Sequence, residues 1–281
     1  MNRVSPELRK AYATCRRAHR RHDPTYYYAT RRLPREVRPA VHALYAFVRE
    51  ADQMVDGPTR APEPAARRAA LDRLEEDLSA SIVTGQSPRP VVTALVDAGA
   101  RHDLPLGELG TYMESMRIDC GRVRIGSWEE LTAYMNGSAA AVGRIMAPLL
   151  GAPQARESFA SLGVAFQLTN FIRDVREDFA LDRIYLPGMD ESDIAAGHAS
   201  ERFRELLALN VQRARGLFRE GAPALAAVEP RVRPGMRMAR GVYVRVLDRV
   251  ESLGYDVLGR RAGLPPWQLG AAALGALREP V

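Results

Sequence analysis

Apolar side chains recur three and four positions apart along most of the chain, as in Val37, Val41, Leu44, Val48 and Val55, or Val242, Val246, Leu247 and Val250. That is the period of a helix with one buried face. Period-two alternation bounded by hairpin turns is scarce, so the pattern predicts an all-α fold. Punctuation agrees. Pro34 opens a segment running to about Asp56, residues 58–64 read as a loop, and a charged amphipathic helix follows over 65–84. Further helices are predicted over 88–102, 105–120, 128–148, 153–181, 199–221 and 231–253. No solenoid repeat or linker-like stretch interrupts them, so a single domain over 1–281 is expected, a bundle of roughly eight or more helices.

Composition keeps that picture and removes several functions. With 281 residues, 46% hydrophobic and 26% charged, the chain can bury a sizeable core. The longest uncharged runs, 158–172 and 262–277, fall short of the roughly 20 apolar residues a bilayer span needs, and Pro265 and Pro266 break the second. The amino terminus is dense in Arg and His without an apolar core or cleavage site, so a cytoplasmic protein is expected. Cys15 and Cys120 have no CxxC or Cys/His spacing, which argues against zinc and against a disulfide framework; both are expected to be buried or incidental. A Walker loop needs Gly-Lys, but the one lysine, Lys10, follows Arg9. No GxG, HExxH or GxSxG occurs either, so dinucleotide folds, zincins and ordinary esterases fall away. The net charge of +6, carried almost wholly by arginine, fits either codon bias or anionic partners such as phosphates and acidic lipid.

The candidate chemistry lies in two polar stripes on otherwise apolar helices. At about 100° per residue, Tyr45, Arg49, Asp52 and Asp56 fall within about 60° of one another, beside Val41 and Val48. Gln167, Asn170, Asp174 and Asp178 span about 80° on a segment whose other residues include Phe166, Leu168, Phe171, Ile172 and Val175. Taken singly, each DxxxD is better explained by ion pairs on a solvated face. As two pairs, they suit a hard divalent cation, because Mg2+ takes a few carboxylates, keeps several waters and completes its octahedron with phosphate oxygens.

The two stripes resemble the paired aspartate-rich motifs of the squalene and phytoene synthase family. The order of features matches that family over nearly the whole chain. His22-Asp-Pro-Thr25-Tyr26 is similar to its amino-terminal diphosphate-binding segment, and Tyr45, Arg49, Asp52 and Asp56 follow at the expected distance. Residues 134–143, from Tyr134 through Asn136 and Gly137 to Gly143, resemble its small-residue helix. Gln167, Asn170, Arg173, Asp174 and Asp178, then Asp182-Arg183-Ile-Tyr185-Leu-Pro187, resemble its second signature; Tyr243 and Arg260 stand where relatives carry a tyrosine and an arginine near the diphosphate. Three positions depart: Asn136 replaces a tyrosine common in relatives, Asp23 a serine, and Gln53 interrupts a frequent Asp-Asp pair.

The resemblance implies an isoprenoid synthase bundle around a central cavity, and head-to-head joining of two prenyl diphosphates, with phytoene from geranylgeranyl diphosphate as the expected product. Farnesyl-based squalene or dehydrosqualene synthesis, or a non-standard terpene synthase, remain as alternatives. It implies Mg2+, with Mn2+ able to stand in, held by Asp52, Asp56, Asn170, Asp174 and Asp178. It implies Tyr45 and Arg49 beside the reacting groups, and substrate contacts from Thr25, Tyr26, Asn136, Gln167, Asn170, Arg173, Tyr185, Tyr243 and Arg260. No NADPH is expected, since the nicotinamide fingerprint is missing. The partners implied are prenyl diphosphates, a peripheral membrane surface and downstream carotenoid enzymes. A nucleic-acid module would account for the arginines, but the acidic stripes oppose it. A non-catalytic scaffolding relative is opposed by the presence of all four aspartates.

Overall fold

The computed structural model describes residues 5–264, with backbone alone at Thr25 and Ala29. Most of the 262–277 run therefore lies outside the described residues. The chain folds into α1 (Pro6–His22), α2 (Pro24–Thr30), α3 (Arg38–Asp56), α4 (Pro64–Thr84), α5 (Pro90–His102) and α6 (Glu108–Ile118). After the short strand β1 (Val123–Arg124) come α7 (Trp128–Met135), a π-turn (Asn136–Ala140), α8 (Ala141–Leu149), α9 (Arg156–Arg173) and α10 (Val175–Ala180). Strand β2 (Arg183–Ile184) leads to α11 (Glu191–Ala196), α12 (Glu201–Glu220), α13 (Ala222–Ala227) and α14 (Arg233–Ser252).

The predicted helices are present, with two informative interruptions. The segment over 128–148 carries a π-turn at Asn136–Ala140, and the one over 153–181 breaks at Asp174, whose backbone leaves the helical region at φ −106° and ψ 18°. Helix α1 escaped the periodicity because its buried positions, Ala11, Cys15 and His19, are small or polar. Its start is nonetheless conventional: Ser5 accepts from the Leu8 amide, with Pro6 in the first turn. The two short strands pair in parallel, Val123 opposite Arg183 and Arg124 opposite Ile184.

Two cores share the interior. One is built from α1, α3, α4, α5, α6 and α8 around Phe47, Leu71, Leu95, Leu109 and Met113. The other gathers α7, α9, α12 and α14 around Leu131, Leu168, Phe203, Val211 and Leu247. Leu33 and Met146 pack against both. Helix α9 lies along the second core and packs on α8, α12 and α14. Close approach demands small residues here. A Cβ at Gly143 would sit 2.4 Å from the Phe159 carbonyl oxygen, and one at Gly137 would sit 2.2 Å from that of Thr111. The small-residue run over 137–143 thus serves helix packing. Cys15 and Cys120 are buried and unbridged.

Candidate active site

Each polar stripe belongs to a different core. Tyr45, Arg49, Asp52 and Asp56 project from α3, whose opposite face carries the fully buried Ala43, Phe47 and Ala51. Asp52 accepts from the buried Tyr112 hydroxyl at 3.1 Å. Burial pushes its carboxyl up to about 6, although the Tyr112 bond and the nearby Arg49 pull the other way. Gln53, in the amide orientation that satisfies both groups, accepts from the Arg49 guanidinium at 3.2 Å from Nε. The neutral amide at the position of the frequent second aspartate therefore orients Arg49 rather than adding negative charge.

On the second stripe, Asp174 sits where α9 stops and α10 begins. Its main chain keeps helical hydrogen bonding, donating to Asn170 at 2.8 Å and accepting from Asp178 at 2.8 Å. The register of Asn170, Asp174 and Asp178 thus survives the break. Arg173 grips the Asp174 carboxylate in a fork, Nε to Oδ1 at 2.6 Å and Nη2 to Oδ2 at 2.5 Å. Asp178 is pushed up to about 7, first by burial and then by the neighbouring Asp174 charge.

The stripes meet across two residues that the periodicity did not single out. Arg183, on β2, donates from Nη1 and Nη2 to the two oxygens of Asp56, at 2.8 and 2.6 Å, and from Nη2 to the Asp119 carbonyl at 2.7 Å. Burial works against its charge, but Asp56, Tyr185 and Asp119 more than offset this, so its pKa is raised. Asp119, just past α6, is buried and accepts from the hydroxyls of Tyr134 at 2.6 Å and Tyr185 at 2.7 Å. Asp52 and Asp178 both feel the Asp119 charge, and Asp178 feels Arg183. The two carboxylate pairs therefore flank one buried Arg183–Asp119 bridge. Arg183 falls inside the second signature; Asp119 lies outside both stripes.

The other predicted residues divide. Tyr243, on α14, lies against Asn170, Arg173 and Asp174, and burial raises its pKa. Gln167 is half-buried on the same face of α9. Asp23 caps α2 by accepting from the Tyr26 amide at 2.8 Å, and its charge reaches both Tyr45 and Tyr243, so the amino-terminal segment spans the two stripes. Tyr26 is 37% exposed, with its ring 4.9 Å from that of His19. The Thr25 side chain lies outside the described residues. Tyr185 was expected to donate to substrate, but it is buried with its hydroxyl committed to Asp119. Asn136, in the π-turn, accepts from Arg144 at 3.0 Å, and Arg144 also pairs with Glu108 and Glu157. Arg260 is exposed in the loop beyond α14. Phe166 packs 4.5 Å from the Tyr243 ring and 5.6 Å from Phe218, giving the second stripe an aromatic wall.

The profile of the squalene/phytoene synthase family matches residues 19–268. The chain belongs to the squalene/phytoene synthase family. It is 32% identical over 280 residues to the phytoene synthase of Arthrospira platensis, covering 92% of this chain and 89% of that one. It is 36% identical over 260 residues to the phytoene synthase of Thermus thermophilus, covering 89% and 86%. Among solved structures, squalene synthase HpnC from Alicyclobacillus acidocaldarius superposes with a TM-score of 0.82 at 31% identity, over 90% of this chain and 97% of that one. A ligand-bound dehydrosqualene synthase superposes at 0.83 over 96% of each chain, at 23% identity, and shows the shared fold. As a member of the squalene/phytoene synthase family the protein is an all-α prenyltransferase.

Proposed function

We propose that the protein is a phytoene synthase, joining two geranylgeranyl diphosphates head to head with loss of two diphosphates and two protons. The observation that carries this reading is the pair of carboxylate stripes held on either side of the Arg183–Asp119 bridge, in a chain similar over most of its length to phytoene synthases. In the first condensation, one allylic C–O bond breaks heterolytically, and the resulting cation forms a cyclopropane ring with the double bond of the second prenyl chain as a proton leaves. In the second, the remaining diphosphate departs, the ring rearranges, and a further proton is lost to give the central double bond.

The donor set suits magnesium. No three acidic, His or Cys side chains converge into a closed cage among the described residues. Pairs of carboxylates are what a cation needs when it also takes water and diphosphate oxygens. The buried Asn170 Oδ1 has no protein partner, which leaves it free to serve as a ligand oxygen. Asp52, Asp56, Asn170, Asp174 and Asp178 would hold Mg2+, with Mn2+ as a substitute, and the ion would supply Lewis-acid stabilisation of the departing diphosphate.

The protein groups do the rest. Arg49 and Arg173 reach diphosphate oxygens through the guanidinium nitrogens that Gln53 and Asp174 leave over, and Tyr45 and Tyr243 donate to the same anions. Gln167 orients the bound chain from α9. Tyr185 acts through Asp119, fixing the bridge that spaces the two stripes. Phe166, Phe218 and Tyr243 keep water from the cation. No reduction step, and so no NADPH, enters this reaction. The product is an apolar hydrocarbon, which fits a peripheral membrane contact and delivery to downstream carotenoid enzymes. No helix among the described residues is long and apolar enough to cross a membrane.

The test is direct. Purified protein is incubated with Mg2+ and either farnesyl or geranylgeranyl diphosphate, with and without NADPH, and the hydrocarbons are extracted for mass analysis. A forty-carbon triene-centred product from geranylgeranyl diphosphate, indifferent to NADPH, supports the reading. A thirty-carbon product alone favours the farnesyl-based alternative that the likeness to HpnC suggests.

A further inference from the structure

Part of the arginine excess is neutralised within the chain. Arg89, Arg117, Arg124 and Arg215 each hold two carboxylates, and Arg183 is locked on Asp56. One cavity gathers four arginines that carry no such pair. A cavity of ≈ 500 Å³ between α1, α2 and the start of α3 is lined by Arg16, Arg31, Arg35 and Arg38, with Tyr27 and His42. No carboxylate lines it, and none of its four arginines forms an ion pair among the described residues. Arg38 is fixed by donating from Nε to the Leu33 carbonyl at 2.8 Å, which leaves its two terminal nitrogens for the cavity. His42 is buried, and its Nδ1 is committed to His19 Nδ1 at 2.8 Å, so Nε2 is the ring atom left to face a ligand. Arg16, Arg31 and Arg35 are exposed, so water screens their repulsion, but an anion entering the hollow meets four guanidinium groups with no lining carboxylate to compete.

We propose that this hollow is a phosphate-binding site, separate from the carboxylate stripes, for a phosphate group borne on a phospholipid headgroup or free in solution. Guanidinium forks match tetrahedral phosphate oxygens in geometry as well as charge. The mouth also lies on the helix that carries the 59% exposed ring of Tyr28, an amphipathic group suited to a lipid interface.

Two arms separate the sources. Magnesium-free full-length protein is titrated with inorganic phosphate by calorimetry, and separately with vesicles of phosphatidylglycerol or phosphatidylcholine by flotation. The doubly substituted Arg31→Gln, Arg35→Gln chain is compared with a charge-matched control, Arg73→Gln with Arg219→Gln, on the exposed faces of α4 and α12. If each arginine near an anionic surface contributes about a factor of five, the double variant loses about twenty-five-fold in binding while the control retains it. Loss in the phosphate arm assigns a soluble ligand, and loss confined to phosphatidylglycerol vesicles assigns a headgroup. Wild type that binds neither probe, or a control that weakens as much as the double variant, overturns the proposal.

Discussion

The two acidic pairs carry the same spacing and are built differently. On α3 the helix runs unbroken through Asp52 and Asp56, and Asp56 is secured from across the molecule by Arg183, 127 residues further on. On the second stripe the helix ends at Asp174, which is secured by Arg173, its neighbour in the chain. Each pair thus has one carboxylate held by a guanidinium fork and one, Asp52 or Asp178, pushed upward by burial. The first pair depends on tertiary assembly and the second on local conformation. Equal spacing in sequence therefore does not imply equal sensitivity to mutation.

The largest expected effect falls on chemistry. Asp174→Ala removes a donor and should lower turnover by about a thousandfold or more while the helical circular dichroism stays unchanged. Turnover within a few fold of wild type would sink the proposed role of the second pair. Next, Arg183→Leu strips the buried partner from Asp56 and Asp119, and should cost about 2–3 kcal/mol in denaturant unfolding. That is below the full cost of breaking a buried pair, because Asp56 is 42% exposed. Acid should act at a similar scale, through the α3 half. His19 and His42 are buried with Nδ1 facing Nδ1, and burial holds both down to about 4, below the ordinary 6.5. The unfolded chain then binds more protons, so this contribution is complete above about pH 6.5 and is lost as pH falls toward 4. Stability at pH 5 should be about 3–4 kcal/mol below that at pH 7, and His42→Gln should flatten the slope. The smallest effect is Arg173→Leu, at under about 1 kcal/mol, since its half-exposed ion pair is local. If Arg173→Leu destabilised as much as Arg183→Leu, the contrast between tertiary and local support would fail.

Much of this was legible in the sequence because it repeats at helical period. Tyr45, Arg49, Asp52 and Asp56 share a face by spacing alone, and so do Gln167, Asn170, Asp174 and Asp178. Asp119 was not legible: a lone acid after an amphipathic helix looks like solvent decoration, and only tertiary structure brings Tyr134 and Tyr185 onto it. The break at Asp174 and the π-turn at Asn136 have no proline to announce them. The π-turn also turned a position expected to face substrate onto Arg144. Helix α1 stayed hidden because its buried row contains Cys15 and His19 rather than large aliphatic residues.

The contacts of Arg183 join distant stretches of the chain. Arg183 must find Asp119 across 64 positions and Asp56 across 127, and each closure is entropically costly before any contact is made. Helices need only neighbouring residues, whereas the clasp between the two stripes needs distant segments already in place. A nascent chain or a proteolytic fragment ending before Arg183 carries the α3 acids without the clasp that holds Asp56.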